Sequence, residues 1–149
     1  MMRSRAVAAV VCSGSLLAGC AERAHVDTVT WQITDVYVSS DTPSGVPDDI
    51  AGKAVLVFGR STLAGNTGCA PLHGKVSYDG ASPQDATSLT ISSLRVDDPS
   101  PECSGQAMYV HQELESMLEG SFDLRHEDHE LVLQKQPSGL DSPAIRLVY

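Results

Sequence analysis

Apolar and polar positions alternate with a period of two along most of the chain, in runs too short for anything but strands. Over residues 28–38, Val29, Trp31 and Ile33 fall on one face and Thr28, Thr30, Gln32 and Thr34 on the other. Past Asp35 the apolar parity moves to Val36 and Val38, which predicts a bulge or a change of partner. Residues 53–58, KAVLVF, make a short apolar run rich in β-branched side chains and read as a buried strand. Another strand runs from Leu72 to Tyr78 and is closed by the Asp79-Gly80 turn. Residues 87–96 alternate Leu89, Ile91, Leu94 and Val96 with Thr and Ser, and the parity break after Ile91 predicts a kink near Ser92 and Ser93. Residues 122–126 and 129–135 flank Glu127-Asp128 as a tight hairpin, and residues 144–149 end the chain on a strand through Ile145, Leu147 and Tyr149.

One segment changes period. Across residues 106–119, Ala107, Val110, Leu114, Met117 and Leu118 recur at three- and four-residue spacing with His111 on the same stripe, which predicts an amphipathic helix. Ser104 stands at its N-cap and Gly120 at its C′ position. Between the periodic segments, residues 39–52 carry two prolines, two glycines and three aspartates and read as a loop. Residues 65–80, GNTGCAPLHGKVSYDG, are the organising stretch: Gly65, Asn66 and Gly68 crowd a turn that puts Cys69 immediately before a strand. The expectation is therefore an α+β domain, a mainly antiparallel, curled β-sheet of about seven strands that bends toward a barrel and is covered by one amphipathic α-helix. Trp31, the sole tryptophan, is read as a core anchor and His111 as a boundary or core histidine, not a ligand.

The amino terminus supplies an address. Arg3 and Arg5 precede an apolar run that ends Leu17-Ala18-Gly19-Cys20, the layout of a secretory signal and not of a membrane-spanning helix. The final four residues resemble a bacterial lipobox, which implies cleavage before Cys20 and a diacylglyceryl thioether on it. The expected organisation is a lipoprotein signal peptide over 1–19, a lipidated tether over 20–27 and one β-rich domain over 28–149. A diacyl anchor holds stably, since each buried CH₂ contributes about 0.8 kcal/mol. Removing residues 1–19 shortens the chain from 149 to 130 residues and moves the net charge from −9 to −11, which opposes nucleic-acid binding. Cys12 leaves with the signal and Cys20 takes the lipid, so Cys69 and Cys103 remain in the folded domain. Outside the cytoplasm such a pair favours a disulfide, with free thiols or a metal pair as the alternatives.

The order of lipobox, early Trp31, Gly68-Cys69 turn, strand ending Tyr78-Asp79-Gly80, Leu89-Thr90-Ile91, Cys103 before a helix and Leu131-Val132-Leu133 resembles the META domain of HslJ-like lipoproteins over residues 31–149. Ala70 stands where that family carries Asn after the Gly-Cys, and of its second motif, Thr-x-Met-Ala-Cys, Cys103 alone is present. The resemblance implies a lipid-anchored envelope protein linked to stress or secretion and not known as an enzyme, with Cys69 and Cys103 as its carried-over residues.

Residues that carry chemistry are sparse. There is no G-x-S-x-G elbow, Ser61 has no partner the sequence names, and no Gly-Lys-Ser/Thr follows Gly59 to make a phosphate loop. His126-Glu127-Asp128-His129 is the best constellation for a divalent ion, with His73 or His111 as added ligands, although turn geometry points such side chains into solvent. The sequence thus predicts no catalytic residue, no cofactor and no built metal site, His126 and His129 being the secondary candidates. It predicts a monomeric, non-catalytic domain anchored on the extracytoplasmic side of a membrane and facing another envelope protein. The alternative is a small-molecule carrier with an apolar cavity between sheet and helix, lined by Phe58, Tyr78, Met108, Met117 and Phe122.

Overall fold

The computed structural model describes residues 25–149. They form β1 (Thr30–Tyr37), β2 (Ala54–Phe58), β3 (Thr62–Thr67), β4 (Pro71–Tyr78), β5 (Ser88–Val96), α1 (Gly105–Met117), β6 (Gly120–Glu127), β7 (Glu130–Lys135) and β8 (Ala144–Val148). Each strand pairs antiparallel with the next and β8 returns to β1, so the sheet is a closed eight-stranded barrel.

This corrects the expected fold class. The missing strand is β3, TLAGNT, whose Ala, Gly and Asn carry a turn signature and no apolar alternation. Its pairing is set from outside: Leu56 faces Gly65 on one side, and Leu72 faces it on the other. A Cβ at Gly65 would stand 2.3 Å from the Val55 carbonyl oxygen and 3.0 Å from Leu56 Cδ2. Gly65 is therefore a close-approach residue inside a strand, not part of a turn. Gly65→Ala is expected to lower stability by about 3 kcal/mol through this overpacking, read by urea denaturation; a loss below about 0.5 kcal/mol, the level of an ordinary surface change, would contradict the close approach.

Closure also changes what the helix does. With no open face left to cover, α1 lies at one end of the barrel, where β5 leaves and β6 begins. Its stripe, Ala107, Val110, His111, Leu114 and Met117, is buried there together with Leu118. Lys135, near the end of β7, donates to the carbonyl of Met117 at 2.6 Å and to that of Glu119, meeting carbonyls that a helix end leaves open. Its ammonium also sits 4.9 Å from the centre of the Phe122 ring. Ser104 occupies the N-cap position without a side-chain cap bond, and Gly120, at φ +125°, opens β6, the helix having closed at Leu118.

Both parity breaks are bulges. The β1–β8 register shifts between Ile33 and Asp35, which keeps Trp31, Ile33 and Val36 all pointing inward. The β4–β5 register shifts between His73 and Lys75, opposite Ser93 at φ +53°. In β2, Ala54, Leu56 and Phe58 face inward while Val57 is exposed, so that run alternates and is not buried on both sides. Trp31, Phe58, Phe122, Ile33, Leu56 and Leu131 are among the fully buried side chains that fill the interior, as expected where eight strands leave just enough room for side chains.

Candidate functional site

The two ends of the barrel are built differently. At the helix end the β3–β4 turn is tied down by its own hydrogen bonds. Gly68 N–H donates to Asn66 Oδ1 at 2.7 Å, and Gly68 adopts φ +93° against Ile50. Thr67 Oγ1 accepts from the Cys69 N–H at 3.2 Å and the Ala70 N–H at 3.0 Å. The same hydroxyl lies 2.9 Å from His111 Nδ1 and 3.3 Å from the Ala70 carbonyl. His111 is thus a buried strut between helix and turn. Cys69 and Cys103, with Cα atoms 5.6 Å apart, form a disulfide across the same junction.

The opposite end is where the described chain enters. Residues 25–29 form a turn in which His25 N–H donates to Thr28 Oγ1 at 3.0 Å and Thr28 Oγ1 donates to the His25 carbonyl at 2.9 Å. Trp31 Nε1 donates to the Val26 carbonyl at 2.9 Å, and Val26 is core. The tether expected over 20–27 therefore gives way to folded structure by His25.

Beside this turn lies an open cleft of about 600 Å³. Asp27 comes from the entering turn, Arg60 and Ser61 from the β2–β3 turn, and Ser77 and Tyr78 from the end of β4, while the β4–β5 loop from Gly80 to Gln84 forms its far wall. Tyr78 Oη donates to the Gly59 carbonyl at 2.8 Å. Burial, and secondarily the charge of Asp27, push the phenol well above its ordinary range, so Tyr78 stays neutral. Asp27 Oδ1 is shielded from solvent and accepts no hydrogen bond among the described residues. Among the described residues, ion pairs are confined to Arg146, with Asp35 and Glu130, so neither Asp27 nor Arg60 takes part in one.

The loop wall is held by Asp79. Its Oδ2 accepts from Thr87 Oγ1 at 2.6 Å, and its Oδ1 accepts from the Thr87 and Ser88 N–H groups at 2.9 and 3.0 Å. The Thr87 hydroxyl first, and the Ser88 amide next, lower its carboxyl from 3.8 to about 2. Because the folded value lies below the unfolded one, the loop's tie is fully present above about pH 4 and is lost as pH falls through about 2. An NMR titration of the Asp79 carboxyl should show that low midpoint; a midpoint near 4 would mean that the loop is not closed by this residue.

The other anticipated residues fall elsewhere. Cys20 lies outside the described residues. His126 and His129 flank an aromatic group: Trp31 stacks edge-on to His126 at 5.5 Å and to Tyr149 at 5.1 Å, and Tyr149 edge-on to His129 at 5.0 Å. His111 belongs to the far end, and the described residues contain no group of three His, Cys, Asp or Glu side chains placed to hold a metal. The side chains expected to line an apolar chamber are dispersed, with Phe58 and Phe122 packed in the core and Tyr78 at the opposite end from Met117. Sequence reasoning missed Asp27 and Arg60, because one was read as tether and the other had no partner in its own segment. Scans against protein-family models, curated proteins and solved structures return no match to the chain.

Proposed function

We propose that this chain is a non-catalytic, lipid-anchored domain of a bacterial envelope, akin to META-domain lipoproteins, held to a membrane through a diacylglyceryl group on Cys20 and presenting its barrel to another envelope protein. The observation that carries the reading is the Cys69–Cys103 disulfide. With Cys12 in the proposed signal region, the bridge leaves Cys20 of the lipobox as the one cysteine of the proposed mature chain outside it, and stable disulfides belong to oxidising compartments. The filled interior and the scattering of histidines and carboxylates over the barrel favour a binding surface over a reaction centre.

An intact-mass spectrum of the mature protein from its native envelope tests this. The expected result is a chain starting at Cys20 with a diacylglyceryl adduct and a gain of two hydrogens on reduction. An unlipidated mass, or free thiols before reduction, would overturn the anchoring reading.

A further inference from the structure

We propose that the outer wall made by β1, β2 and β3 is the contact face of a two-fold dimer, in which a second copy of this chain stands beside the first in the same membrane. The first observation is where charge is missing. β2 and β3 are the two strands of the barrel without a charged side chain, and β1 has none before Asp35. Every other strand has at least one: Lys75 on β4, Arg95 on β5, Arg125 on β6, Glu130 on β7 and Arg146 on β8. On a chain of net charge −9 most faces set acid against acid when two copies meet, and this wall does not. The registers make it one continuous patch, with Thr30, Val57 and Ala64 side by side in one row and Gln32, Val55 and Asn66 in the next. These side chains point outward because Trp31, Leu56 and Leu63, at the alternate positions, are buried. Val57, at the middle of its row, is 41 % exposed. Loss of charge at the centre of a patch is the compositional mark of a protein interface.

The second is that the two flanks of the wall carry opposite charge. On one side, Lys75 of β4 and, a strand further, Arg95 of β5 take part in no ion pair among the described residues. On the other side, Asp35 and Glu130 share one cation, Arg146, at 3.8 and 2.5 Å, which leaves that flank a negative charge in excess. A two-fold axis along the barrel turns the wall onto itself and exchanges its left for its right. The basic flank of one copy then faces the acidic flank of the other, on both sides of an uncharged centre. Charge complementarity of the wall with itself is what selects a second copy as its occupant.

The third is orientation, which rests on the anchoring proposed above. His25 follows Cys20 by five residues, a span of at most about 18 Å, so the end where the chain enters the barrel faces the membrane and neighbouring barrels stand side by side. Two chains in one leaflet can share a two-fold axis only along the membrane normal, which is the axis the wall requires. Anchoring also decides whether the contact holds. Three strands about 4.8 Å apart and about six residues long make a face of roughly 300 Å², against about 800 Å² per partner in a standard interface. A contact of that size is weak in dilute solution, and confinement to a leaflet supplies the effective concentration that affinity lacks.

The test is cysteine crosslinking of the full chain in its native envelope under a mild oxidant, with products read by mass under non-reducing conditions. Val57→Cys and Ala64→Cys each put a thiol on the wall, and Arg125→Cys puts one on β6, four strands away across the barrel. All three positions are exposed, so the core is untouched and the circular dichroism of the variants should match the parent. The expected product has twice the mass of the chain and forms about tenfold more from the wall positions than from Arg125→Cys. Added to Ala64→Cys, Val57→Glu is expected to lower the yield about tenfold, since two carboxylates then meet near the axis, and Lys75→Glu about threefold, since both flanks then carry one sign. Equal yields from the wall and from β6, a partner of any other mass, no product from the wall, or indifference to Val57→Glu would overturn the proposal. The intact mass of the same sample keeps the anchoring reading apart: a lipidated chain that gives no product overturns the dimer alone. With an unlipidated chain the crosslinking is read on the purified protein at about 1 mM, the effective concentration that tethering supplies, and absence of product there overturns the dimer as well.

Discussion

Trp31→Ala is expected to lower stability by about 4–5 kcal/mol, enough to leave much of the population unfolded. The indole is fully buried at the chain-entry end, edge-on to His126 and Tyr149, and its Nε1 donates to the Val26 carbonyl at 2.9 Å. Truncation removes the largest side chain of the core and leaves that carbonyl without its donor, so transfer, cavity and hydrogen-bond costs all act in one direction. Because the alanine variant is expected to be largely unfolded, Trp31→Phe supplies the finer reading. It keeps an aromatic body and deletes the donor, with an expected loss of about 1–2 kcal/mol and faster amide exchange around residues 26–28. Urea denaturation and hydrogen exchange check both. A phenylalanine variant as stable and as protected as the parent would show that the entering turn is held by something other than Trp31.

Reduction of the Cys69–Cys103 bridge should be nearly as damaging. The bond closes a loop of sequence separation 34, which in the chain-entropy account stabilises by about 4 kcal/mol. For a domain of this size that corresponds to a fall in Tm of about 15 °C. The bridge joins the β3–β4 turn to the segment leading into α1, so its loss should first loosen the helix from the barrel mouth and expose Val110 and Leu114. Melting followed by circular dichroism, with and without reductant, reads the shift. The Cys69→Ser, Cys103→Ser double variant should melt at the reduced value and ignore reductant. A shift below about 3 °C, under 1 kcal/mol at this size, would mean that the Thr67–His111 strut and the packing of α1 hold that end without the covalent tie.

These two predictions concern opposite ends of the barrel, and the ends differ in how legible they were. The helix end could be read from the chain because its parts are local. A three- and four-residue stripe specifies α1, Asn66 and Gly68 specify a turn through a short Asx bond and a positive φ, and two cysteines remain for each other. The bulges after Ile33 and in β5 were equally visible, since with a side-chain period of two any extra residue shows as a break in apolar parity. What the amino-acid order determined alone was thus a set of strands with inward faces, one helix with its buried stripe, and a pair of turn cysteines.

The tertiary structure decided the rest, for reasons of distance along the chain. Thr62–Thr67 has no strand pattern of its own, because Gly65 contributes space and not surface; β2 and β4 make it a strand by pairing on either side of it. That eighth strand lets the sheet close, and closure moves α1 from a sheet face to the barrel mouth. The cleft depends still more on assembly. Asp27, Arg60 and Tyr78 belong to three separate segments, each unremarkable alone, and their charges and burial take on meaning only where closure of the barrel brings those segments together. A local pattern records which face of an element is buried, whereas a site made of loop ends is fixed by long-range pairing that no window of sequence contains.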